Sequence, residues 1–469
     1  MQKILLFCCF VFACALGARA QGIDSTLIDV TLEGLPAGKV RLVGSFGDQN
    51  YIADSSMADA GGHFVLRRKK PLPSGYYTFL LPASKNFPFL VDQDQRFTLK
   101  ANANDIFNTA VVEGSLNAEL FFKNMKFQSQ QEPELNKLGD IMRKSQATSP
   151  EYIQAKARQT ALLDERKAHL DAIYKEYPKS FFTIFKKAGQ NPDFPDFRKA
   201  NGDIDTLRQL GHYRGHFWDG VDFNDTRLLY TPVIYNKLRR YVKDLTPQRP
   251  DSLIAVTDPL IRKVIPYKEY FKFFANWIAL TYENGKTTVM DGEAVFVHTI
   301  QTFMTPELAF WDTKENIEKI QKHVWEMEAS LMGKKGPDVR AQNQYGVEKS
   351  IYEMTAPLIV VFMYSPDCEH CQKESPEVEA LYQKWKDKGV DFYGIGVNTN
   401  DADWKAFVKK NNFSFTNVFD PTNRAIYAKY YVDITPELYV LNKDRIIVAK
   451  NLHPNQLEDI FEREFRKMK

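Results

Sequence analysis

The spacing of hydrophobic and polar residues changes twice along the chain. From about residue 23 to residue 114, apolar and polar residues alternate in short runs such as Leu27–Leu32 and Gly38–Val43, separated by glycine and proline, which is typical of β-strands. From Leu116 onwards, apolar residues recur at every third or fourth position, which predicts amphipathic helices. After Gly333–Pro337, strand-like and helix-like segments alternate, which predicts a central sheet with helices packed on it.

These patterns predict a multidomain protein. We expect an N-terminal leader at residues 1–20, a β-sandwich at 21–115, an α-helical middle region at 116–335 and a C-terminal α/β domain at 336–469. In the last domain the expected order is strand, helix, strand, helix, strand, strand and helix. These elements are Leu358–Met363, Gln372–Lys388, Val390–Val397, Asp401–Asn411, Glu437–Leu441, Arg445–Ala449 and Asn455–Lys467.

The first 20 residues have the features of a secretory signal. Lys3 is followed by an apolar run over residues 4–16 and by small residues up to Ala20, so cleavage there would leave Gln21 as the mature start. The apolar run is too short for a transmembrane helix, which needs ~20 residues. An alternative is cleavage before Cys14, with a lipid attached to its thiol. Both routes predict an exported protein of the periplasm or cell envelope.

Composition and charge exclude several classes of function. Without the leader, which holds Lys3 and Arg19 and no acidic residue, the net charge falls from +3 to +1, and we expect no binding of nucleic acid. No phosphate-binding glycine loop or dinucleotide fingerprint occurs in the sequence, so we expect no cofactor. His212 and His216 could share one face of a helix, but the sequence offers no partner ligands beside them, and we expect no metal site.

Outside the leader the chain keeps only two of its five cysteines, Cys368 and Cys371. They follow an apolar run and precede a helix-like segment, which is the setting of a thioredoxin-type redox motif. A structural disulfide would close too short a loop to stabilise the fold strongly. Because N–H groups at the start of a helix stabilise a thiolate, Cys368 is the candidate attacking thiol and Cys371 the candidate resolving thiol. Between them, a protonated His370 would favour the thiolate and Glu369 would oppose it, so both are candidates for redox tuning.

Two segments resemble the TlpA/ResA-type thiol-disulfide oxidoreductases, whose thioredoxin-like domain is often placed with the AhpC/TSA group. They are Cys368-Glu-His-Cys371-Gln-Lys-Glu374-Ser-Pro376 and Asp433-Ile-Thr-Pro436. The resemblance implies a thioredoxin-like fold for 336–469, with a cis proline at Pro436. It also implies that Thr435 and Pro436 bind the substrate beside the cysteines and that Glu374 assists proton transfer there. The regions before this domain resemble accessory regions of exported bacterial proteins.

Two positions depart from that family. Asp367 replaces the tryptophan that precedes the first cysteine, and a carboxylate so close to Cys368 disfavours its thiolate. Phe362 stands where thioredoxins carry a buried acid. These differences bear on the reduction potential and the substrate rather than on the fold.

The sequence therefore predicts an exported thiol-disulfide oxidoreductase that reduces protein disulfides. Its partners would be a protein disulfide substrate and a membrane dithiol protein that donates electrons, and the accessory domains could keep two active sites apart in a homodimer. One alternative is an envelope binding or scaffold protein with a regulatory or vestigial redox domain. Another is a peroxiredoxin-like thiol peroxidase, which Ser365 fits and Val361 does not, because a proline is expected at the latter position.

Overall fold

The structure is a computed structural model that describes residues 26–283, 285–432 and 434–468. The predicted leader, including Cys14, and Asp433 of the second resembling segment lie outside the described residues. The chain divides into two compact units, Met1–Lys237 and Leu238–Lys469.

The first unit starts with eight strands. They are β1 (Thr26–Glu33), β2 (Gly38–Phe46), β3 (Gln49–Ala58), β4 (His63–Arg68), β5 (Gly75–Leu80), β6 (Asn86–Val91), β7 (Arg96–Asn102) and β8 (Val111–Glu113). They form two four-stranded sheets, with the orders β4-β1-β7-β8 and β3-β2-β5-β6. The ring centroids of Phe64 on β4 and Phe79 on β5 are 5.3 Å apart, so the two sheets share core side chains. Strand β1 buries every second residue, as its alternating sequence predicts.

Helices follow the strands in the first unit. They are α1 (Ile106–Thr109), α2 (Leu116–Lys144), α3 (Pro150–Glu176), α4 (Phe181–Ala188), α5 (Thr206–Gly215) and α6 (Pro232–Arg239), the last of which crosses the division between the units. The side chains of Ser115, Ser149 and Ser180 accept hydrogen bonds from backbone N–H groups at the starts of α2, α3 and α4. These serines therefore set where the long helices begin.

The second unit continues with four helices. They are α7 (Pro250–Val264), α8 (Lys268–Thr281), α9 (Glu293–Phe303) and α10 (Lys314–Met327). Helix α8 is rich in aromatic residues, and most of them are buried, namely Tyr270, Phe271, Phe274 and Trp277. Burial of this apolar surface is the main force that holds the helices together.

A seven-stranded sheet ends the second unit. Its strands are β9 (Arg340–Asn343), β10 (Glu348–Ser350), β11 (Leu358–Tyr364), β12 (Val390–Gly396), β13 (Thr416–Phe419), β14 (Glu437–Asn442) and β15 (Ile447–Ala449), in the order β10-β9-β13-β12-β11-β14-β15. The accompanying helices are α11 (Glu369–Trp385), α12 (Asp401–Lys410) and α13 (Leu457–Met468). Strand β11 is parallel to β12 and antiparallel to β14, and all of its residues are buried.

Separate core clusters lie on the two faces of this sheet. Phe362 and Cys371 belong to one cluster, and Val361 and Met363 belong to the other. A central strand with both faces covered reads as a continuous apolar run, which is why the sequence of β11 shows no alternation.

The coarse division into an N-terminal sheet region, a helical middle and a C-terminal sheet domain is confirmed, and the residue bounds of the domains stay predictions. In the seven-stranded sheet, three strands were not expected from the sequence, namely β9, β10 and β13. They are short, and β9 and β10 are polar, so they carry little of the apolar pattern by which strands are recognised. Among the described residues, no helix has both the length and the apolar character needed to cross a membrane.

Candidate active site

The cysteine pair lies where the central strand β11 leads into helix α11. Cys368 is the N-cap residue of the helix, with extended backbone angles, and its Sγ accepts a hydrogen bond from the N–H of Cys371 at 3.4 Å. A sulfur in this position takes the place of the usual capping oxygen and lies at the positive end of the helix dipole. The negative charge of a thiolate at Cys368 would therefore be stabilised by the helix it begins.

Cys371 lies one helical turn further along and is fully buried. Its Sγ accepts a hydrogen bond from the N–H of Ser365 at 3.5 Å. Burial raises the pKa of the Cys371 thiol to about 12, and the neighbouring Cys368 sulfur adds to this shift. Of the two thiols, only Cys368 is partly exposed, so a disulfide in solution would meet Cys368 first.

The loop before strand β14 faces the partly exposed thiol. The carbonyl oxygen of Thr435 accepts a hydrogen bond from the thiol of Cys368 at 3.0 Å, and the Thr435–Pro436 peptide bond is cis. Ile434, which precedes them, has 55% of its surface exposed. The structure thus brings Thr435 and Pro436 to the cysteine pair across 67 residues of sequence.

Glu374 follows Cys371 by three residues and lies on the same face of helix α11. Its Oε1 is 3.0 Å from Nδ1 of His453, and its side chain is only 14% exposed, whereas that of His453 is 71% exposed. Within the described residues, the buried Oε2 of Glu374 has no hydrogen-bond partner. This oxygen is shielded from water on the face of α11 that also carries Cys371.

The remaining candidate residues lie at the surface or in the core. Glu369 and His370 are exposed in the first turn of α11, and Asp367 is exposed just before it. Phe362 is fully buried and stacks on Tyr364, with 4.9 Å between the ring centroids. The position where thioredoxins carry a buried acid is therefore part of an aromatic core.

A cluster of buried charges lies next to the strand that follows Pro436. Lys450, at the end of β15, has 2% of its side chain exposed and lies 2.6 Å from Oε1 of Glu293 and 3.9 Å from Oδ1 of Asp291. Burial alone would lower the pKa of Lys450, but Tyr439 and the two carboxylates raise it above its usual value. The ammonium group is therefore held in its charged form.

Glu437 directly follows Pro436 and interacts electrostatically with the same cluster. Its Oε1 accepts a hydrogen bond from the N–H of Asn451 at 2.7 Å. Burial raises the pKa of Glu437 to about 7, opposed by Lys450 and reinforced by Glu293. Burial likewise raises the pKa of Asp291 to about 7, again opposed by Lys450. One lysine cannot balance three carboxylates, so the cluster retains a proton near neutral pH.

Sequence reasoning did not identify His453 or the buried charge cluster. His453 is 79 residues from Glu374 in sequence, and Asp291 is 160 residues from Asn451, so no local pattern links the partners. A hint was available at Lys450 alone, because it follows an apolar strand without a turn signal between them.

Two family models match parts of this chain. Residues 332–450 match the AhpC/TSA family. The thioredoxin-like resemblance that the sequence predicted for this part of the chain is thereby confirmed. Residues 26–121 match a domain of unknown function, DUF4369, which covers the strands of the first unit and the start of α2.

Relatives of the AhpC/TSA domain support the prediction that it is an oxidoreductase. One is the thiol-disulfide oxidoreductase ResA of Bacillus cereus, which is 25% identical over 123 residues, or 26% of this chain and 70% of the relative. Another is ResA of Halalkalibacterium halodurans, which is 30% identical over 81 residues, or 17% of this chain and 46% of the relative.

Solved structures were also found to be similar. A domain of a possible thiol-disulfide isomerase from Cytophaga hutchinsonii is 28% identical, with a TM-score of 0.28, covering 29% of this chain and 95% of that one. A thioredoxin-like protein from Bacteroides caccae is 18% identical, with a TM-score of 0.47, covering 58% of this chain and 96% of that one.

Proposed function

We propose that this protein is an exported thiol-disulfide oxidoreductase that reduces protein disulfides through Cys368 and Cys371. The observation that carries the proposal is the asymmetry of the pair. Cys368 caps a helix and is partly exposed, whereas Cys371 lies buried one turn further along. Attack by one thiol and resolution by its shielded neighbour need this arrangement.

The reaction would proceed in two exchanges. The thiolate of Cys368 attacks one sulfur of the substrate disulfide, a mixed disulfide forms, and the other substrate sulfur leaves as a thiolate. Cys371 then loses its proton and attacks Sγ of Cys368, which breaks the mixed disulfide and releases the second substrate sulfur. The substrate gains two electrons and two protons in total, and the cysteine pair becomes a disulfide.

Glu374 is proposed to accept the proton of Cys371 in the second exchange. Because burial raises the pKa of Cys371 to about 12, few molecules carry this thiolate at neutral pH without help from a base. Glu374 lies on the same helix face, with a buried Oε2 that has no partner among the described residues. Thr435 and Pro436 are proposed to hold the substrate backbone, and Glu369 and His370 to tune the reduction potential from the surface.

The partners and the compartment are further parts of the proposal. Since the sequence contains no cofactor motif, electrons would come from a membrane protein that carries its own dithiol. Residues 1–20 would direct the protein to the periplasm or cell envelope, and mass analysis of the purified native protein would distinguish a start at Gln21 from a lipid on Cys14. The facing sheets of the first unit are proposed to form a β-sandwich, and the last sheet with its helices an α/β thioredoxin-like fold.

A redox titration of the Cys368–Cys371 pair, read by thiol alkylation and mass, tests the function. A potential of roughly −270 mV, as in thioredoxin, is expected for a reductase, whereas roughly −120 mV, as in DsbA, would make the protein an oxidant. In exchange assays, Cys371→Ser should trap a mixed disulfide and serves as the matched control for Cys368→Ser, which should not react. Unchanged turnover in Cys368→Ser would overturn the proposal.

The two alternatives have their own signatures. A pair that never cycles between thiol and disulfide would leave the envelope binding or scaffold protein as the better account. Consumption of hydrogen peroxide far faster than by a free thiol would favour a thiol peroxidase. In the structure the N–H of Ser365 is directed to the resolving sulfur of Cys371, rather than to the sulfur that would have to attack a peroxide.

A further inference from the structure

The segment between helices α8 and α9 reaches the loop that carries Thr435 and Pro436. A Cβ atom at Gly285 would lie 3.0 Å from Cδ1 of Ile434, so the backbone of the segment is in contact with this exposed side chain. Ile434 is the residue immediately before Thr435, whose carbonyl oxygen accepts the hydrogen bond from Cys368. The helical region is therefore in contact with the active-site loop itself.

Two further contacts join the helical region to this loop and to the core beneath the cysteines. Tyr431, three residues before Ile434, packs against the core of α8, α9 and α10. Met290 packs against the same apolar cluster that contains Cys371 and against which Cys368 also packs. The segment 285–293 thus contacts the active-site loop at Ile434 and the core cluster that contains Cys371.

Buried charges anchor the end of this segment. The N–H of Asp291 donates to Oδ1 of Asn451 at 3.3 Å, and the N–H of Asn451 donates to Glu437, the residue after Pro436. Glu293 pairs with the buried Lys450 at 2.6 Å. A charge pair that is this well shielded from water holds its partners in a fixed position, because separating them would leave a charge buried and unpaired.

We infer that segment 285–293 forms one wall of the substrate groove and determines specificity for the proposed exchange reaction. The substrate class is an extended polypeptide disulfide with an apolar side chain beside the attacked cysteine. The exposed Ile434 and the partly buried Met290 supply the apolar surface for that side chain. The inference rests on the proposed function and gives the helical region a role in it.

The substrate residue that packs against these two side chains is expected to be apolar rather than charged. Ile434 and Met290 offer no hydrogen-bonding group to a charged side chain, which would lose water without compensation there. The exposed Asp367 and Glu369, the two sequence neighbours of Cys368, repel acidic substrates. A peptide with aspartate beside its cysteine should therefore be a poor substrate.

Single-turnover exchange with the pre-reduced full-length protein tests the inference. The probes are two peptides that contain an intramolecular disulfide and differ only in leucine or aspartate next to the first cysteine, together with oxidised glutathione. We expect the leucine peptide to react at least about tenfold faster than the aspartate peptide. In Met290→Ala, the rate constant for the leucine peptide relative to that for glutathione should fall by about tenfold.

Two more variants keep the test independent of folding defects. Gly285→Asn places a side chain against Ile434 while keeping a residue that tolerates the positive φ of +73°, and it should lower the same ratio. Met468→Ala removes an exposed methionine at the end of α13 and should leave both rates unchanged. Unchanged ratios in Met290→Ala and Gly285→Asn would overturn this inference alone. Failure of the wild type to react with glutathione or either peptide would overturn the proposed function as well.

Discussion

Each unit contains a cluster of charges that is largely shielded from water, and the two clusters are built differently. In the first unit, Arg227 places its guanidinium between Asp92 and Asp225. Its Nη1 donates to both oxygens of Asp92 at 3.1 and 3.0 Å, while Nε and Nη2 donate to Asp225 at 2.9 and 2.5 Å. Asn117 donates a further hydrogen bond to Asp92. Bonds to Asp225 and Asp92 hold the pKa of Arg227 above its usual value.

In the second unit, Lys450 is the cation that lies between two carboxylates, Glu293 and Asp291. Its ammonium group is a compact charge and lacks the planar, two-pronged donor geometry of a guanidinium. It makes one close contact with Glu293, and Oδ1 of Asp291, 3.9 Å away, has no hydrogen-bond partner within the described ranges. Burial raises the pKa of Asp291 and of Glu437, and Glu293 adds to both shifts, so a proton offsets part of the negative charge. The ion pairs of the first cluster therefore stay charged near neutral pH, whereas the net charge of the second cluster depends on pH.

The largest effect is expected from Lys450→Met. This change leaves Glu293 and Asp291 buried without a cation, which should lower the free energy of unfolding of the second unit by about 3–5 kcal/mol. Hydrogen exchange of peptides that cover residues 437–452 would report the loss in this unit directly.

The double variant Lys450→Met with Glu293→Met is the matched control. It removes the charge together with its closest partner and should recover a large part of the lost stability, because the apolar side chains fill a similar volume. Equal destabilisation in the single and double variants would contradict the view that an unpaired charge causes the loss.

A smaller effect is expected from Arg227→Lys in the first unit. Lysine keeps the positive charge but cannot donate the paired hydrogen bonds that the planar guanidinium makes to two carboxylates. The free energy of unfolding should therefore fall by about 1–2 kcal/mol. Chemical denaturation followed by hydrogen exchange in strands β6 and β7 would measure it. Arg249→Lys, at an exposed pair with Asp251, is the control and should be almost silent.

The stability of the second cluster is expected to depend on pH, unlike that of the first. Because the folded protein holds a proton on Asp291 up to about pH 7, the stability that this proton contributes is complete below about pH 4 and is lost as the pH rises through 7. Asp291→Asn removes the titration, and asparagine tolerates the positive φ at this position. Raising the pH from 5 to 8 lowers the free energy of unfolding of the wild type through this group, and the loss should be about 2–3 kcal/mol smaller in Asp291→Asn. An identical pH profile would contradict the assignment.

The smallest effect on stability is expected at the contact between Glu374 and His453. Since His453 is 71% exposed, His453→Gln should not measurably change the midpoint of unfolding. If His453 orients Glu374, resolution by Cys371 should slow by less than about tenfold, with a changed pH profile of the rate. Stopped-flow exchange across pH 6–9 would measure both, and a loss of stability without a kinetic change would assign His453 a structural role only.

The sequence allowed the position of the cysteine pair between a strand and a helix to be predicted, because all three features are encoded locally. The apolar run of β11 and the spacing of Cys368 and Cys371 lie within 14 residues. The helix was expected to begin at Gln372 and begins at Glu369, since its cap is a cysteine rather than one of the residues that usually mark a helix start.

The features that could not be predicted are those formed by residues far apart in the sequence. Lys450, Glu293 and Asp291 read individually as surface charges, and only their meeting in the folded chain makes them a buried cluster. Strand β13 pairs with β12 over four residues and carries an asparagine, Asn417, whose burial is explained by its bond to Tyr364 from another strand. Such positions are set by tertiary partners that outweigh local propensity.

The sulfur that begins helix α11 is the same atom that would exchange with a disulfide. In the reduced state it accepts the amide proton of Cys371, and each change of its bonding alters the electron density available to that proton. The backbone amide of a fully buried residue thus becomes a built-in sensor. Its chemical shift is expected to differ between the oxidised and the reduced pair, and NMR of the isotope-labelled protein would detect the difference.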